Sequence, residues 1–435
     1  MLEKFFKLKE HNTTVRTEAI AGLTTFLTAA YIIFVHPNIL SATGMDKGAL
    51  TTITCLVAAG ATLLIALWAN APLMMAPGMG LNAFFTFSLV LGQGIPWQTA
   101  LGVVFLSGVF FLILTWAGIR ERIVKAIPQS LRISAAVGIG LFIAFIGLKN
   151  LGIIVKNDAV IVGLGAFTPE AILGLGGLLL AIILEIRKIK GAILISIIAT
   201  TVAGVIFQLV PMPSAIIAVP PSPAPIAFQL DIAGALSLSL LSAIFSFMFV
   251  DLFDSLGTML AVCREAGMAD EKGEIKNLPK MLTADAVATL GGSLLGTSTT
   301  TTYIESASGV ADGGRTGLTS VFTAAFFLLA VLFTPLIGIV PGFATAPALI
   351  IVGVFMMRGI NQIDFYNFAD AAPAFLTFIL MPLTFSIANG LAFGFAAYVL
   401  IRLFSGRIKE CDPFLIGAAI LSIISLAEPY LSALF

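Results

Sequence analysis

The stretch Gly296-Thr-Ser-Thr-Thr-Thr-Thr-Tyr-Ile-Glu305-Ser-Ala-Ser-Gly309 decides how this chain is read. It lies between apolar runs near 280–295 and 316–339, where a spanning helix would ordinarily continue. Its run of hydroxyl and β-branched residues favours an extended strand over a helix. A second irregular stretch, 73–87, reads Leu73-Met-Met-Ala-Pro77-Gly78-Met-Gly80-Leu-Asn82-Ala83-Phe84-Phe85-Thr-Phe87. Each stretch predicts a short strand followed by a half-helix. Within lipid an unpaired backbone N–H or C=O costs several kcal/mol. Such breaks therefore survive only where they pair with protein or line a cavity. The Gly78-x-Gly80 string also fits a dinucleotide-type glycine pattern, but no soluble βαβ unit surrounds it.

The composition supports a membrane setting. Apolar residues make up 59% of the 435 and charged residues 11%, against about a quarter charged in soluble domains. That is too little charge for a wet surface, and a lipid bilayer is the expected surrounding. Net charge is zero, so no nucleic-acid partner is expected. Three scattered cysteines, Cys55, Cys263 and Cys411, make neither a disulfide framework nor a metal spacing. The first apolar run is too long for a signal core and reads as a retained span.

At about 20 apolar residues per crossing, spans fall near 17–36, 49–69, 98–118, 130–149, 169–186, 191–210, 235–262, 280–295, 316–339, 344–358, 371–386 and 388–404. The irregular segments 73–90 and 296–310 bring the total to fourteen. A further apolar stretch, 413–433, either spans or lies at the interface. Lys and Arg cluster at 4–16, 120–125 with Arg132, 187–190, 264–280, Arg315, Arg358 and 402–409. Fourteen spans place all of these on one side, which the positive-inside rule makes cytoplasmic together with the N-terminus. The segment 211–233 reads as an external Pro-rich linker.

The halves look related. Thr99-x-Leu101-x-x-Val104-Phe105, followed by Phe110 and Leu112, recurs 217 residues later as Thr316-x-Leu318-x-x-Val321-Phe322, followed by Phe327 and Leu329. Pro128 with Gly140 matches Pro341 with Gly353 at the same internal spacing. Seven spans per half is odd, so the second half is inverted. Inverted repeats with paired broken helices mark secondary transporters, and the broken pair lines the substrate site. The expected fold class is therefore an all-α polytopic membrane protein with short strands in spans 3 and 10.

Ionisable residues inside spans are functional candidates by default. Asp251 and Asp254 lie near the centre of one span, three residues apart and so on one helical face. Glu305 follows the Thr run. A carboxyl buried away from cations favours its protonated form, which is the chemistry proton coupling needs. It also accepts hydrogen bonds from heterocycle N–H groups. Asp285, early in its span, is expected near the cytoplasmic surface and structural in role. His36, beside Pro37, is expected at the interface. Asn82 either binds substrate or satisfies the break near Gly80. Phe84 and Phe85 could stack on an aromatic ring, and Gly257 and Gly309 would let helices approach.

Together, Gly22-Leu-Thr-Thr-Phe-Leu-Thr-Ala-Ala-Tyr31-Ile, Ala76-Pro-Gly-Met-Gly-Leu-Asn-Ala-Phe-Phe85, Val250-Asp-Leu-Phe-Asp-Ser-Leu-Gly-Thr258 and Gly296-Thr-Ser-Thr-Thr-Thr-Thr-Tyr-Ile-Glu-Ser306 make the chain resemble the AzgA-like purine permeases, a branch of the nucleobase–ascorbate transporter superfamily. The resemblance covers nearly the whole chain. It implies two inverted seven-span repeats. Residues 1–16 form the cytoplasmic N-terminus, 17–210 the first repeat (core 17–118, gate 130–210) and 211–233 the linker. Residues 234–405 form the second repeat (core 234–340, gate 341–405), and 406–435 a C-terminal segment outside the pattern.

The resemblance also implies cell-membrane import of adenine, guanine or hypoxanthine, with the core moving against the gate and a proton as the expected coupling ion. No enzyme activity or resident cofactor is expected, and a homodimer is one arrangement left open. Substrate-holding residues implied or inferred are Asp251, Glu305, Asn82, Ala83, Phe84 and Thr302, with Asp251, Asp254 and Glu305 in coupling or affinity. Two other classes are weighed. An inorganic-anion carrier or channel of the same fold sits poorly with buried acids. An intramembrane aspartyl protease would need a Tyr-Asp and Gly-x-Gly-Asp pair, which this sequence lacks.

Overall fold

The computed structural model describes residues 2–118, 123, 126–213, 215–270, 274, 275 and 277–431. Most of the basic cluster 120–125, part of 264–280 and the end of 413–433 lie outside the described residues. Among the described residues, nine helices are long and apolar enough to cross a bilayer. The remaining crossings are Leu278–Leu295, Ala192–Ile206, Phe368–Leu383 and the two broken segments, giving the fourteen-span inverted repeat. The helix Pro413–Leu431 follows as an extra element, packed on Ile387–Phe404.

The two halves interlock. Lys47–Ala69 packs on Gly317–Ala330, and its repeat counterpart Leu278–Leu295 packs on Trp97–Trp116. Gln129–Asn150 lies along Gly342–Met356. Pro128 and Pro341 stand at the N-caps of these two helices. Gly140 and Gly353 meet where they cross, and a Cβ on Gly140 would sit 2.8 Å from the Gly353 carbonyl oxygen. The matching Pro and Gly positions in the sequence thus mark one symmetric contact.

At the centre, strand β1 (Met75–Pro77) pairs antiparallel with the strand Thr300–Thr302, with Met75 opposite Thr302, Ala76 opposite Thr301 and Pro77 opposite Thr300. Backbone bonds from Gly78 N to Thr299 O and from Tyr303 N to Met74 O, both 2.9 Å, extend the ladder. Side chains complete the pairing. Thr62 Oγ1 both accepts from Met75 N (3.0 Å) and faces Met75 O (3.1 Å). Ser320 Oγ lies 2.9 Å from Ala71 O and 2.8 Å from Leu73 O, within donating reach of both. Pro77 has no N–H to offer the ladder, and its carbonyl accepts from Tyr303 Oη at 2.6 Å. Hydroxyl residues thus do for the broken backbone what helix hydrogen bonds do elsewhere in lipid.

A hairpin of β2 (Ile154–Asn157) and β3 (Ile161–Leu164) lies in the loop after Gln129–Asn150; Thr300–Thr302 is therefore β4. This hairpin is not among the expectations drawn from the sequence. Its turn is held by Asn157 Oδ1, which accepts from Ala159 N (2.9 Å) and Val160 N (3.2 Å), a local side-chain turn. Span 1 is also divided, into Val15–Ala29 and Ile32–Leu40, with no Gly or Pro at the break. Gly309 does allow a close approach, against Thr25 and the Ala21 carbonyl. Gly257 meets nothing within 4 Å and plays no such part among the described residues.

Candidate functional site

After β1 the chain turns into Met79–Ala83 and then a π-helical stretch to Gly92. After β4 it turns at Glu305 into the short helix Ser306–Ala311. Between these breaks and the helix Leu241–Glu265 lies a cavity of about 510 Å³. Its inner lining includes Tyr31, Gly80, Asp254, Thr302, Tyr303 and Glu305. From there it extends to Glu185 and Arg358, which stand at the ends of their helices near Lys190. This is the Lys- and Arg-rich face.

Two carboxyl groups face its inner part, Asp254 and Glu305, and both residues are partly exposed; Glu185 stands further out. Glu305 Oε1 accepts from Tyr31 Oη at 2.7 Å. Thr302 is buried, and its hydroxyl has no hydrogen-bond partner among the described residues. A buried hydroxyl without a partner carries a desolvation cost, which a ligand in the cavity would relieve.

The other expected contacts are placed differently. Asp251 is 1% exposed and does not line the cavity. Ser255 Oγ lies 3.3 Å from Asp251 Oδ1 and 3.0 Å from Asp285 Oδ1, and it accepts from Thr302 N at 3.3 Å. Asp251 therefore reaches the site through Ser255 and the β4 backbone. Asp285 is fully buried in this cluster, which corrects its expected position near the cytoplasmic surface. Its helix turns residue 285 inward, a rotation that depth along the span does not reveal.

Asn82, Ala83 and Phe84 are likewise buried away from the cavity. Asn82 joins the two broken segments: its Nδ2 donates to Pro77 O at 3.3 Å and its Oδ1 accepts from Ser298 Oγ. The Phe84 ring packs on Phe247, with centroids 4.7 Å apart. The amides of Asn82, Thr302 and Tyr303 are engaged with Gly78 O, Ser255 Oγ and Met74 O.

His36, expected at the interface, is instead fully buried. Thr54 Oγ1 donates to Leu50 O at 2.6 Å. It must therefore accept from His36 Nδ1, 2.7 Å away, which leaves Nε2 to accept from Thr297 Oγ1 at 2.8 Å. The neutral Nδ1–H tautomer thus ties spans 1 and 2 to the entry of β4. Tyr31 was missed in the sequence reading. It stands inside the first apolar span of the chain, where Tyr reads as packing, and nothing local ties it to residue 305.

Residues 16–393 match the family described as the Permease family, Xan_ur_permease. A putative permease, MJ0326, of Methanocaldococcus jannaschii is 51% identical over 410 residues, covering 94% of each chain. Adenine permease AdeP of Escherichia coli is 44% identical over 427 residues, covering 98% of this chain and 96% of that one. Guanine/hypoxanthine permease PbuG of Bacillus subtilis is 43% identical over 435 residues, covering 97% and 99%. Among solved structures, the transmembrane domain of the cyanobacterial bicarbonate transporter BicA superposes with a TM-score of 0.67 at 16% identity, covering 86% of this chain and 96% of that one. At that identity the likeness is one of fold.

Proposed function

The chain belongs to this permease family and, through it, to the nucleobase–ascorbate transporter superfamily, and on that premise we propose that it is a secondary transporter importing purine nucleobases. The observation that carries this reading is the pairing of Glu305 and Asp254 across a cavity walled by both interrupted segments. Purine bases present ring and exocyclic N–H groups, and carboxylates are strong acceptors for them. The Thr302 hydroxyl adds a donor–acceptor for a ring nitrogen or carbonyl. A cavity of about 510 Å³ lies within the range of small-molecule sites. Two carboxyl groups suit an inorganic anion poorly. Five relatives are named as permeases for adenine or for guanine and hypoxanthine, and another as a nucleobase transporter.

In the mechanism we favour, substrate enters from one face and hydrogen-bonds Glu305 and Asp254. Asp251 sets the β4 backbone through Ser255. A proton on one of the acids accompanies the base. The core, 17–118 with 234–340, then moves as a body against the gate, 130–210 with 341–405, to expose the site on the other side. The N-terminus and the cavity mouth at Glu185 and Arg358 lie on the cytoplasmic side.

Uptake of labelled hypoxanthine into a host stripped of its own purine uptake tests this. Competition by adenine and guanine but not uracil, with loss of uptake when the pH gradient is collapsed, is the expected result. Chloride, sulfate or bicarbonate flux without purine flux would overturn it.

A further inference from the structure

We propose that Tyr31 is a positioning residue of the substrate site: its hydroxyl engages Oε1 of Glu305, so that Oε2 is the oxygen offered to a ligand N–H. This rests on the purine reading above and adds to it the residue that orients the acceptor. Three features of the molecule lead to it.

First, span 1 is interrupted at Ala30 and Tyr31 without any Gly or Pro. Tight bonds from Ile33 N to Ala30 O and from Phe34 N to Tyr31 O, both 3.1 Å, take the chain through the break. A mid-helix 3-10 tightening of this kind often marks a functional or strained place. The Tyr31 side chain at this point is 2% exposed, with its ring 6.4 Å from that of Tyr303.

Second, Glu305 stands at the N-cap of Ser306–Ala311 but makes no side-chain capping bond. A side-chain oxygen at that place ordinarily turns back to the first amides of its helix. Glu305 is held outward, and the Tyr31 hydroxyl at 2.7 Å is what it meets.

Third, Glu305 lines the cavity while its Oε1 is held by the Tyr31 hydroxyl. A phenol can only donate to a carboxylate. It therefore leaves the carboxylate an acceptor toward the cavity and fixes the plane in which Oε2 points. The ligand class this selects bears an N–H in a planar ring, set edge-on to Glu305.

The test uses the purified full chain and equilibrium binding of labelled hypoxanthine, competed by purines carrying one methyl group on each ring nitrogen in turn. For wild type, methylation at one nitrogen should weaken binding far more than at the others. Tyr31→Phe keeps the ring and removes the donor. It should weaken hypoxanthine binding about tenfold, the loss of one hydrogen bond to a charged group. It should also shrink the penalty of that one methyl group, because Glu305 can turn. The unliganded melting temperature reports the fold separately.

An unchanged affinity and methyl pattern in Tyr31→Phe would overturn the proposal. So would an equal loss for every competitor, which marks a structural role only. Wild type that binds no purine at all would instead overturn the purine reading, and this inference with it.

Discussion

The two interrupted segments occupy equivalent places in inverted repeats, yet they divide the labour. In 73–92, every residue from Leu73 to Leu89 is buried. Asn82 is spent on Pro77 and Ser298, and Phe84 on Phe247. In 296–311, the strand is equally buried, but Glu305 is partly open and Thr302 keeps a hydroxyl without a partner. The backbone is symmetric because each strand needs the other to pair its N–H and C=O groups in lipid. The side chains are asymmetric: the cavity takes Thr301, Thr302, Tyr303, Ile304 and Glu305 from the second segment but only Met79 and Gly80 from the first. In the function proposed above, one segment is scaffold and the other carries the contacts.

The largest expected effect separates the two. Glu305→Gln should raise KM for hypoxanthine uptake roughly 10- to 100-fold, the loss of a hydrogen bond to a charged acceptor, with surface expression unchanged. Asn82→Ala should instead leave KM near wild type and lower stability by about 1–3 kcal/mol, since it strips partners from a buried hydroxyl and a carbonyl. Thermal unfolding alongside uptake distinguishes them. If Asn82→Ala weakens affinity as strongly as Glu305→Gln, the scaffold is also a contact and the division fails.

Thr302→Val and Thr299→Val sharpen the contrast within one segment. Neither hydroxyl has a hydrogen-bond partner among the described residues, but of the two Thr302 lines the cavity. Thr302→Val should raise KM by roughly 2- to 10-fold, one neutral hydrogen bond, and Thr299→Val should leave KM alone. Equal effects would show that the cavity wall is drawn wrongly.

The smallest effect concerns the outer end of the second segment. Asp312, just past Ser306–Ala311, bonds Thr24 Oγ1 at 2.6 Å and pairs with Lys190. Burial would raise its carboxyl, but the hydrogen bonds from Lys190 and Thr24 outweigh that and hold it below the usual carboxylate range. Its contribution is thus present above the ordinary carboxylate pKa and lost as pH falls through the lowered value. The pair is partly solvated, so Lys190→Ala should cost no more than about 1 kcal/mol. The loss should disappear in acid, as melting temperatures at neutral and low pH would show. The first segment runs into a π-helix and has no such tether to probe.

The paired strands and the fourteen crossings were legible because Gly, Pro and a β-branched run break the apolar pattern where lipid allows no loose backbone. What sequence could not supply was rotation and long-range meeting. Asp251 and Asp254 share a helical face, and Ser255 follows Asp251 by one turn of the same helix, but only the packing of Leu241–Glu265 decides that Asp254 lines the cavity and Asp251 does not. His36 meets Thr297 across 261 residues, and the proximity of Pro37 suggested a helix end instead. The break at Tyr31 has no Gly or Pro to signal it, and its contact with Glu305 spans 274 residues. The hairpin after residue 150 is short and exposed, set by Asn157 more than by alternation.

The most direct measurement is a structure determined with hypoxanthine bound. The base should lie in the cavity beside β4, an N–H edge on Glu305 Oε2 and a second polar edge toward Asp254. A base seated instead against Asn82 and Asp251, or outside this cavity, would contradict the account.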